Sequence, residues 1–331
     1  MMRVEKVIGI DVASESLTIS IYDGKVHDVK TLNYTKSDIR KILIRPFIHN
    51  KEDMLIVMEG TGVYHTRVAH QLASEDFKVC VVNPLIIKRY VQMHLSRIKT
   101  DKSDAKLIAE YGYEYQHKLS YFIPKKEEQI HIDNLIKALD DLLLQKGVCT
   151  SQLHALTKQA NYAKEAAKSY QRHQKFLQQE IRKLEIYLDD YLATHFSDNY
   201  RLLQSIPGVG LKISATILSA YGSFENFQSA KQACSFAGMA PSLYESGTSV
   251  KGKSRISKRG NPFIRKMLFM GALSATTYNP LVKQYYKRLI ANGKPKMSAM
   301  NAAAHKLLRI IFGVLKSEQP FDVNYVRSSN I

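Results

Sequence analysis

The chain has 331 residues, 45% hydrophobic and 24% charged, which predicts a globular protein of roughly two domains. Its formal net charge of +18 indicates a polyanionic partner, most simply nucleic acid. No apolar run approaches the ~20 residues of a membrane-spanning helix, and the first residues predict a strand rather than a signal peptide. Three widely spaced cysteines exclude a zinc motif and a disulfide framework, so we expect a protein of the reducing cytosol.

The first part of the chain, to about residue 124, combines strand and helix patterns. The predicted strands are residues 7–13, 17–22, 26–32, 54–58 and 78–82, and the predicted helices are residues 39–47, 64–74 and a segment after residue 100. Asp23-Gly24 supplies the turn of a hairpin. Three hairpin strands followed by alternating helices and strands predict an α/β domain with a mixed sheet.

Four acidic residues stand at informative places in these elements. Asp11 ends the first strand, Glu59 ends a central strand, and Asp101 and Asp104 lie three residues apart at a helix start. Each alone is compatible with a turn or a helix cap. Together they match the layout of an RNase H-like nuclease, in which crowded carboxylates are neutralised by divalent cations, here two Mg²⁺ about 4 Å apart. Lys99 and Lys102 flank the helical pair and are candidate phosphate contacts.

Residues 125–198 change to a helical, leucine-rich composition. Leu177, Ile181, Leu184, Leu188 and Leu192 follow steps of four and three, which is typical of a coiled-coil seam. A basic stretch with interleaved tyrosines lies between residues 158 and 175. It fits either a solvated helix face or a helical arm that dimerises on one face and lies along nucleic acid on another.

Residues 199–331 predict a mostly helical region. Pro207-Gly208-Val209-Gly210 joins two helices, either as a helix-hairpin-helix element that approaches a phosphate or as a tight structural turn. Helices are also predicted at residues 224–238, from residue 267 onwards, and at residues 281–290 and 300–315. A polar, glycine-containing stretch follows Ser246, and its positive charges are candidate nucleic-acid contacts: Lys251, Lys253, Arg255, Lys258 and Arg259. From these residues alone, Ser246 is an ordinary loop serine, since no nearby histidine activates it.

Taken in order, these motifs resemble the DEDD transposases of the bacterial insertion-sequence family numbered one hundred and ten, which are bridge-RNA-guided recombinases. The resemblance covers nearly the whole chain. It is carried by residues 8–11, 59–64, 82–84 and 99–105 in the first half, and by residues 205–210, 236–241, 244–247 and 257–261 in the second.

The resemblance implies three regions: an RNase H-like (Holliday-junction-resolvase-like) catalytic domain at 1–124, a helical coiled-coil insert at 125–198, and a C-terminal transposase domain at 199–331. It implies that Asp11, Glu59, Asp101 and Asp104 bind Mg²⁺, and that Ser246 attacks DNA and forms a phosphoserine link. Sequence choice would be delegated to a structured noncoding bridge RNA that pairs with target and donor DNA.

The resemblance also implies assembly into dimers and tetramers, with the acids of one subunit meeting the serine of another. The expected place of action is the bacterial cytoplasm, at the nucleoid. Two other readings stay open at this point. One is a metal-dependent junction endonuclease that uses water and leaves Ser246 structural, and the other is a nucleic-acid-binding protein with an inactive acid site.

Overall fold

The computed structural model describes residues 4–60, 62, 64–94, 100–242, 245–246, 250–251, 255–256 and 260–324. Of Pro241, Ser242, Glu245, Ser246, Val250, Lys251 and Arg255 it describes the backbone alone. The chain divides into two compact units, residues 1–125 and 126–331. The three-region organisation expected from the sequence stays a prediction.

The first unit is built on a five-stranded mixed sheet in the order β3-β2-β1-β4-β5. The strands are β1 Lys6–Val12, β2 Ser16–Tyr22, β3 His27–Asn33, β4 Met54–Glu59 and β5 Val79–Val82. β1, β2 and β3 pair antiparallel, whereas β4 and β5 run parallel to β1. The mixed sheet and the hairpin predicted from the sequence are thus confirmed.

Helices pack on both faces of this sheet. They are α1 Lys36–Ile39, which continues as a π-helical turn over Arg40–Ile44, then α2 Tyr64–Ala73, α3 Pro84–Met93 and α4 Asp101–Tyr115. One face buries Ile8 and Ile10 with α1 and α2, and the other buries Val7 and Val57 with α3 and α4. Because successive strand residues point to opposite faces, the odd-numbered residues of β1 and β4 face α4.

Helix α3 was not predicted from the sequence, although its start carries a recognisable signal. The Asn83 side chain accepts a hydrogen bond from the Leu85 N–H at 2.9 Å, and Pro84 occupies the first helical position. An asparagine cap followed by proline is a standard helix start. The short apolar segment after it buries Ile87 and Tyr90 under the sheet.

The second unit is mostly helical. Its helices are α5 Glu127–Thr157, α6 Lys164–His195, α7 Ser197–Gln204, α8 Leu211–Tyr221, α9 Ala230–Phe236, α10 Pro262–Tyr278, α11 Pro280–Ala291 and α12 Lys296–Ser317. One hydrophobic core joins all of them. Four two-residue strands pair as two ribbons: β6 Pro241–Ser242 with β9 Arg255–Ile256, and β7 Glu245–Ser246 with β8 Val250–Lys251.

The leucine stripe of α6 packs inside its own chain. Leu177, Ile181, Leu188 and Leu192 are each at most 2% exposed, and the last three join the core with residues of α5 and α8. The coiled-coil periodicity therefore reports the packing of α6 within the second unit. These side chains are not available to a partner helix, so an arm that dimerises through this stripe is not supported.

One expectation for the second unit is revised, and the turn at residues 207–210 has a packing reason for one of its glycines. The helix predicted at residues 224–238 starts later, because Phe224 has φ 62° and the Ser229 side chain caps α9 by accepting from the Gln232 N–H at 3.3 Å. In the turn between α7 and α8, Gly208 has φ +97°, and a Cβ there would lie 2.6–2.8 Å from atoms of Ala275 in α10. Gly208 thus permits a close approach between this turn and α10. The helix-hairpin-helix element stays a prediction.

Within the residues that the structure describes, no helix is both long enough and apolar enough to span a membrane.

Candidate active site

The first two acidic residues of the predicted site end neighbouring parallel strands. Ile10 of β1 lies opposite Met58 of β4, so Asp11 and Glu59 are the next residues on the two strands. Both belong to the odd-numbered set that faces α4, and both are half-buried. The sheet therefore sets these two carboxylates side by side at the carboxyl ends of its parallel strands.

Helix α4 approaches the same strand end at unusually short range. A Cβ on Gly9 would lie 2.4 Å from both Ala105 O and Ala109 N, and one on Gly112 would lie 2.6 Å from Val57 Cγ2. Only glycine at positions 9 and 112 lets the α4 backbone lie this close to β1 and β4. Since Ala105 packs beside Gly9, the first turn of α4 lies near Asp11, two residues further along β1.

The first turn of α4 is fixed by a reciprocal cap. Thr100 Oγ1 accepts from the Ser103 N–H at 3.2 Å, and Ser103 Oγ accepts from the Thr100 N–H at 2.9 Å. This capping box satisfies two free N–H groups and determines where the helix begins. It places Asp101 and Asp104 one turn apart on the same side of α4. Ser103 Oγ also lies 3.4 Å from Asp104 Oδ1.

Asp11 responds electrostatically to all three of the other acids. Its pKa is raised from 3.8 to about 6, first by burial and then by the negative charges of Asp104, Asp101 and Glu59. A backbone hydrogen bond at Val12 acts in the opposite direction. Repulsion among like charges raises a pKa only when the groups are close, so Glu59, Asp101 and Asp104 lie near Asp11. That the four acids form one catalytic site stays a prediction.

The acids are close but do not yet enclose an ion. Within the described part of the chain, no group of three or more histidine, cysteine, aspartate or glutamate side chains is arranged to hold a metal as it stands. The donor set is nonetheless made only of carboxylate oxygens, which suit hard divalent cations. Such a cation would neutralise the negative charges that repel one another around Asp11.

Ser246 lies in the second unit, on β7. Its backbone pairs with Val250 of β8, and Glu245 pairs with Lys251. Ser246 thus lies on a short antiparallel ribbon of the mostly helical second unit, whereas the four acids belong to the first unit.

The predicted phosphate contacts are described unevenly. Lys102 is exposed in the first turn of α4. Lys251 and Arg255 are described through their backbones, on β8 and β9. Lys99, Lys253, Lys258 and Arg259 lie outside the described residues.

Two transposase family models match the two parts of the chain. A transposase model of the DEDD type matches residues 8–162, and the model of the transposase IS116/IS110/IS902 family matches residues 200–287. The pilin gene-inverting proteins of Moraxella lacunata and Moraxella bovis are each 30% identical over 95% of this chain and 97% of their own. The chain belongs to the IS110 family of DEDD transposases.

A more distant relative agrees with this assignment. The transposase for insertion sequence element IS1111A of Coxiella burnetii is 22% identical over 97% of this chain and 92% of its own. The transposase is accordingly a DNA-recombining enzyme, and membership of the family implies DNA binding and suggests a divalent metal. The reading as a binding protein without activity is therefore set aside.

A hydrogen-bonded link through His27 was not predicted from the sequence of the transposase. His27 of β3 links the Ser20 hydroxyl (2.9 Å to Nδ1) to the carboxylate of Glu110 in α4 (3.0 Å from Nε2 to Oε1). Tyr22 stacks on the His27 ring with centroids 4.3 Å apart. The link ties α4, which carries Asp101 and Asp104, to the β2–β3 hairpin. No sequence signal marked it, because its members are distant in the chain and a histidine in a strand has no spacing pattern.

Proposed function

We propose that this transposase excises and inserts its own element by RNA-guided strand exchange, with a Mg²⁺-dependent acid site and Ser246 as nucleophile. The observation that carries the proposal is the convergence of Asp11, Glu59, Asp101 and Asp104: after burial, the negative charges of the other three acids raise the pKa of Asp11. Four carboxylates in one place destabilise the metal-free fold. Their grouping is explained if they take part in a reaction that brings highly charged groups together.

The proposed fold of the first unit is RNase H-like, of the Holliday-junction-resolvase kind. Support comes from the strand order, in which three antiparallel strands are followed by two parallel ones. In this arrangement an acid ends the central strand β1, a second ends β4, and α4 packs across both. We further propose that residues 125–198 form a distinct helical region between this domain and the C-terminal transposase domain.

In the proposed site the carboxylates of Asp11, Glu59, Asp101 and Asp104 would hold two Mg²⁺ ions. Bound Mg²⁺ lowers the pKa of an attacking hydroxyl and stabilises negative charge on a phosphodiester. The residues of the chain supply the oxygen ligands, and the Gly9–Ala105 contact and the Thr100 cap keep Asp101 and Asp104 facing Asp11.

The proposed role of Ser246 is transesterification. Its hydroxyl loses a proton, Oγ bonds to a DNA phosphorus, and the bond from that phosphorus to a deoxyribose oxygen breaks. The leaving oxygen takes up a proton and becomes a free hydroxyl. Attack of such a hydroxyl on the phosphoserine link reverses the step, so strands are rejoined without an external energy source. Activation by the acid site explains why no histidine base is required.

The proposed partners are element-end and target DNA, a structured bridge RNA, and further copies of the chain in a dimer or tetramer. The net charge of +18 supports phosphate-rich partners. The Moraxella relatives are named as pilin gene-inverting proteins, and inversion of a gene is a DNA rearrangement, which supports recombination as the outcome. The acids of one copy would act with Ser246 of another.

A trapping experiment tests this function against hydrolysis by an endonuclease. Wild type, Ser246→Ala and Asp11→Asn are incubated with Mg²⁺, element-end DNA and RNA transcribed from the element flank, then denatured and separated on a gel. We expect a covalent protein–DNA adduct in wild type alone, and none in EDTA. Cut DNA without an adduct, still formed by Ser246→Ala, would establish water as nucleophile and contradict the role of Ser246. Unchanged strand exchange in Asp11→Asn would contradict the acid site.

A further inference from the structure

The α5–α6 hairpin carries opposite charges in its two halves. The half joined to the core, residues 127–141 and 180–195, has nine acidic and three basic residues. The distal half, residues 142–179, has six basic residues and one acid, Glu165. A helical hairpin that needed only solubility would mix both signs along its length. The separation of acidic and basic residues therefore indicates that the two halves of the hairpin have different roles.

Four of the nine acids of the core-side half form ion pairs within the described part of the chain. Asp133 binds Lys137 at 2.8 Å and Glu180 binds Lys183 at 2.7 Å. Glu185 binds Lys212 of α8 at 2.8 Å, and Asp140 binds Lys266 of α10 at 2.5 Å. Lysines in and around this half are thus neutralised by acids of the same unit.

The basic residues of the distal half form a stripe along α6. Lys164, Lys168, Arg172 and Lys175 are all exposed. At 100° per residue they fall within an arc of about 80°, over about 16 Å of helix. Leu177, which is 2% exposed, lies about 180° from the middle of this arc. The stripe therefore faces solvent.

The positive charge of this stripe is in large excess over its internal partners. Within the described part of the chain, one of the four stripe residues forms an ion pair: Lys168 binds Glu165 at 2.7 Å. Tyr162, 38% exposed, lies just before the stripe in the connection between α5 and α6. A row of aligned cations with an exposed aromatic ring at its end suits a phosphodiester backbone.

We propose that the distal half of the α5–α6 hairpin binds a nucleic-acid backbone through Lys164, Lys168, Arg172 and Lys175. A stripe of about 16 Å runs along about five phosphates of one strand, at 3.4 Å of helix axis each. The contacts are made to phosphates, so binding is independent of sequence. The DNA of the element and a structured RNA share this chemistry, and the experiment separates them.

The test is the salt dependence of binding to a 30-base-pair DNA duplex and to an RNA duplex of the same sequence. It is done in EDTA with the full chain, so that its outcome does not depend on Mg²⁺, Asp11 or Ser246. The key variant is Lys164→Gln with Lys175→Gln. The matched control is Lys137→Gln with Lys183→Gln, which removes the same charge from the core-side half. Both pairs are on the surface, and thermal unfolding checks that each variant is folded.

We expect the distal variant to reduce the slope of log K against log salt by about 1–2, since each phosphate contact contributes about 0.9. The control changes the slope by less than about 0.5. Lys164→Arg with Lys175→Arg keeps the wild-type slope, because charge is retained. A reduction with one duplex alone identifies DNA or RNA as the ligand. Equal slopes for the distal variant and its control, with both duplexes, would overturn the proposal.

Discussion

The two parts of the proposed active site are supported by very different structures. The acids lie on a central strand, its parallel neighbour and a 15-residue helix. This helix packs closely on the strands, backbone to backbone at Gly9 and against valine side chains at Gly112. Ser246 stands on a ribbon of two-residue strands, β7 and β8. A central strand is hydrogen-bonded on both sides, whereas a ribbon this short is only marginally stable alone.

This difference indicates which part of the proposed active site is already in position before DNA binds. The acid site is determined by the core of the first unit, and its charges are already coupled at Asp11. For Ser246 we expect DNA and a second copy of the chain to supply the remaining contacts. If Ser246 is the nucleophile, as proposed, it would be positioned only in the assembled complex.

The largest expected effect concerns whether the two parts come from different copies. Asp11→Asn and Ser246→Ala alone should each lower adduct formation at least 1,000-fold, because each removes an essential group. An equimolar mixture should recover about a quarter of wild-type adduct, since half of randomly mixed dimers contain one complete composite site of two. Adduct is measured on a denaturing gel after co-refolding or co-expression. A mixture as inactive as its components would mean that each copy uses its own acids and serine.

The next effect tests the close packing beneath the acids. Gly9→Ala places a Cβ 2.4 Å from two backbone atoms of α4, so the helix must shift away from β1. We expect a loss of about 2–3 kcal/mol in unfolding free energy and a marked loss of strand exchange. Gly147→Ala is the control, since a Cβ there meets nothing within 4 Å on helix α5 and should add about 1 kcal/mol. Urea denaturation measures both, and a Gly9→Ala protein with wild-type stability would contradict the packing argument.

A smaller effect follows from the charge on Asp11. Its pKa is about 6 in the fold against 3.8 for an unperturbed aspartate, so its ionisation costs stability as pH rises from about 4 to above 6. Two pKa units correspond to about 3 kcal/mol, which solvent screening at a half-buried group reduces to about 1–2 kcal/mol.

Asp11→Asn should therefore stabilise the metal-free protein by about 1–2 kcal/mol at pH 7.5 and hardly at all at pH 4. Thermal unfolding in EDTA at the two pH values measures this. Added Mg²⁺ should raise the melting temperature of wild type and not of the variant. Equal stabilisation at both pH values would show that charge is not the cause.

The smallest effect concerns the hydrogen-bonded link from Ser20 through His27 to Glu110 of α4. Glu110→Ala removes the acceptor for His27 and should cost about 1 kcal/mol. Because Asp104 lies on the same helix, the Mg²⁺ concentration needed for half-maximal thermal stabilisation should rise up to about fivefold. Glu110→Gln keeps an acceptor oxygen and should restore most of both. If Glu110→Ala lost stability with unchanged Mg²⁺ dependence, the link would support the fold without orienting the acids.

Much of the first unit was predictable because its patterns are local. Strand alternation in residues 17–22, the Asp23-Gly24 turn and the apolar run at 54–58 each correspond to observed elements. The helix after Thr100 was also predicted, from the apolar spacing of Leu107, Ile108 and Tyr111. Helix α3 was missed, since ten residues with two buried side chains give a weak period.

The sequence by itself determined the acids as candidates, the strand ends that carry them, the excess of positive charge and the family resemblance. These follow from residue type and from spacing along a regular element. Only the tertiary structure decided that the four acids share one electrostatic environment, that the leucine stripe of α6 is covered by its own chain, and that His27 bridges Ser20 and Glu110. Each of these depends on distances between residues far apart in sequence, and spacing within one helix or strand carries no information about them.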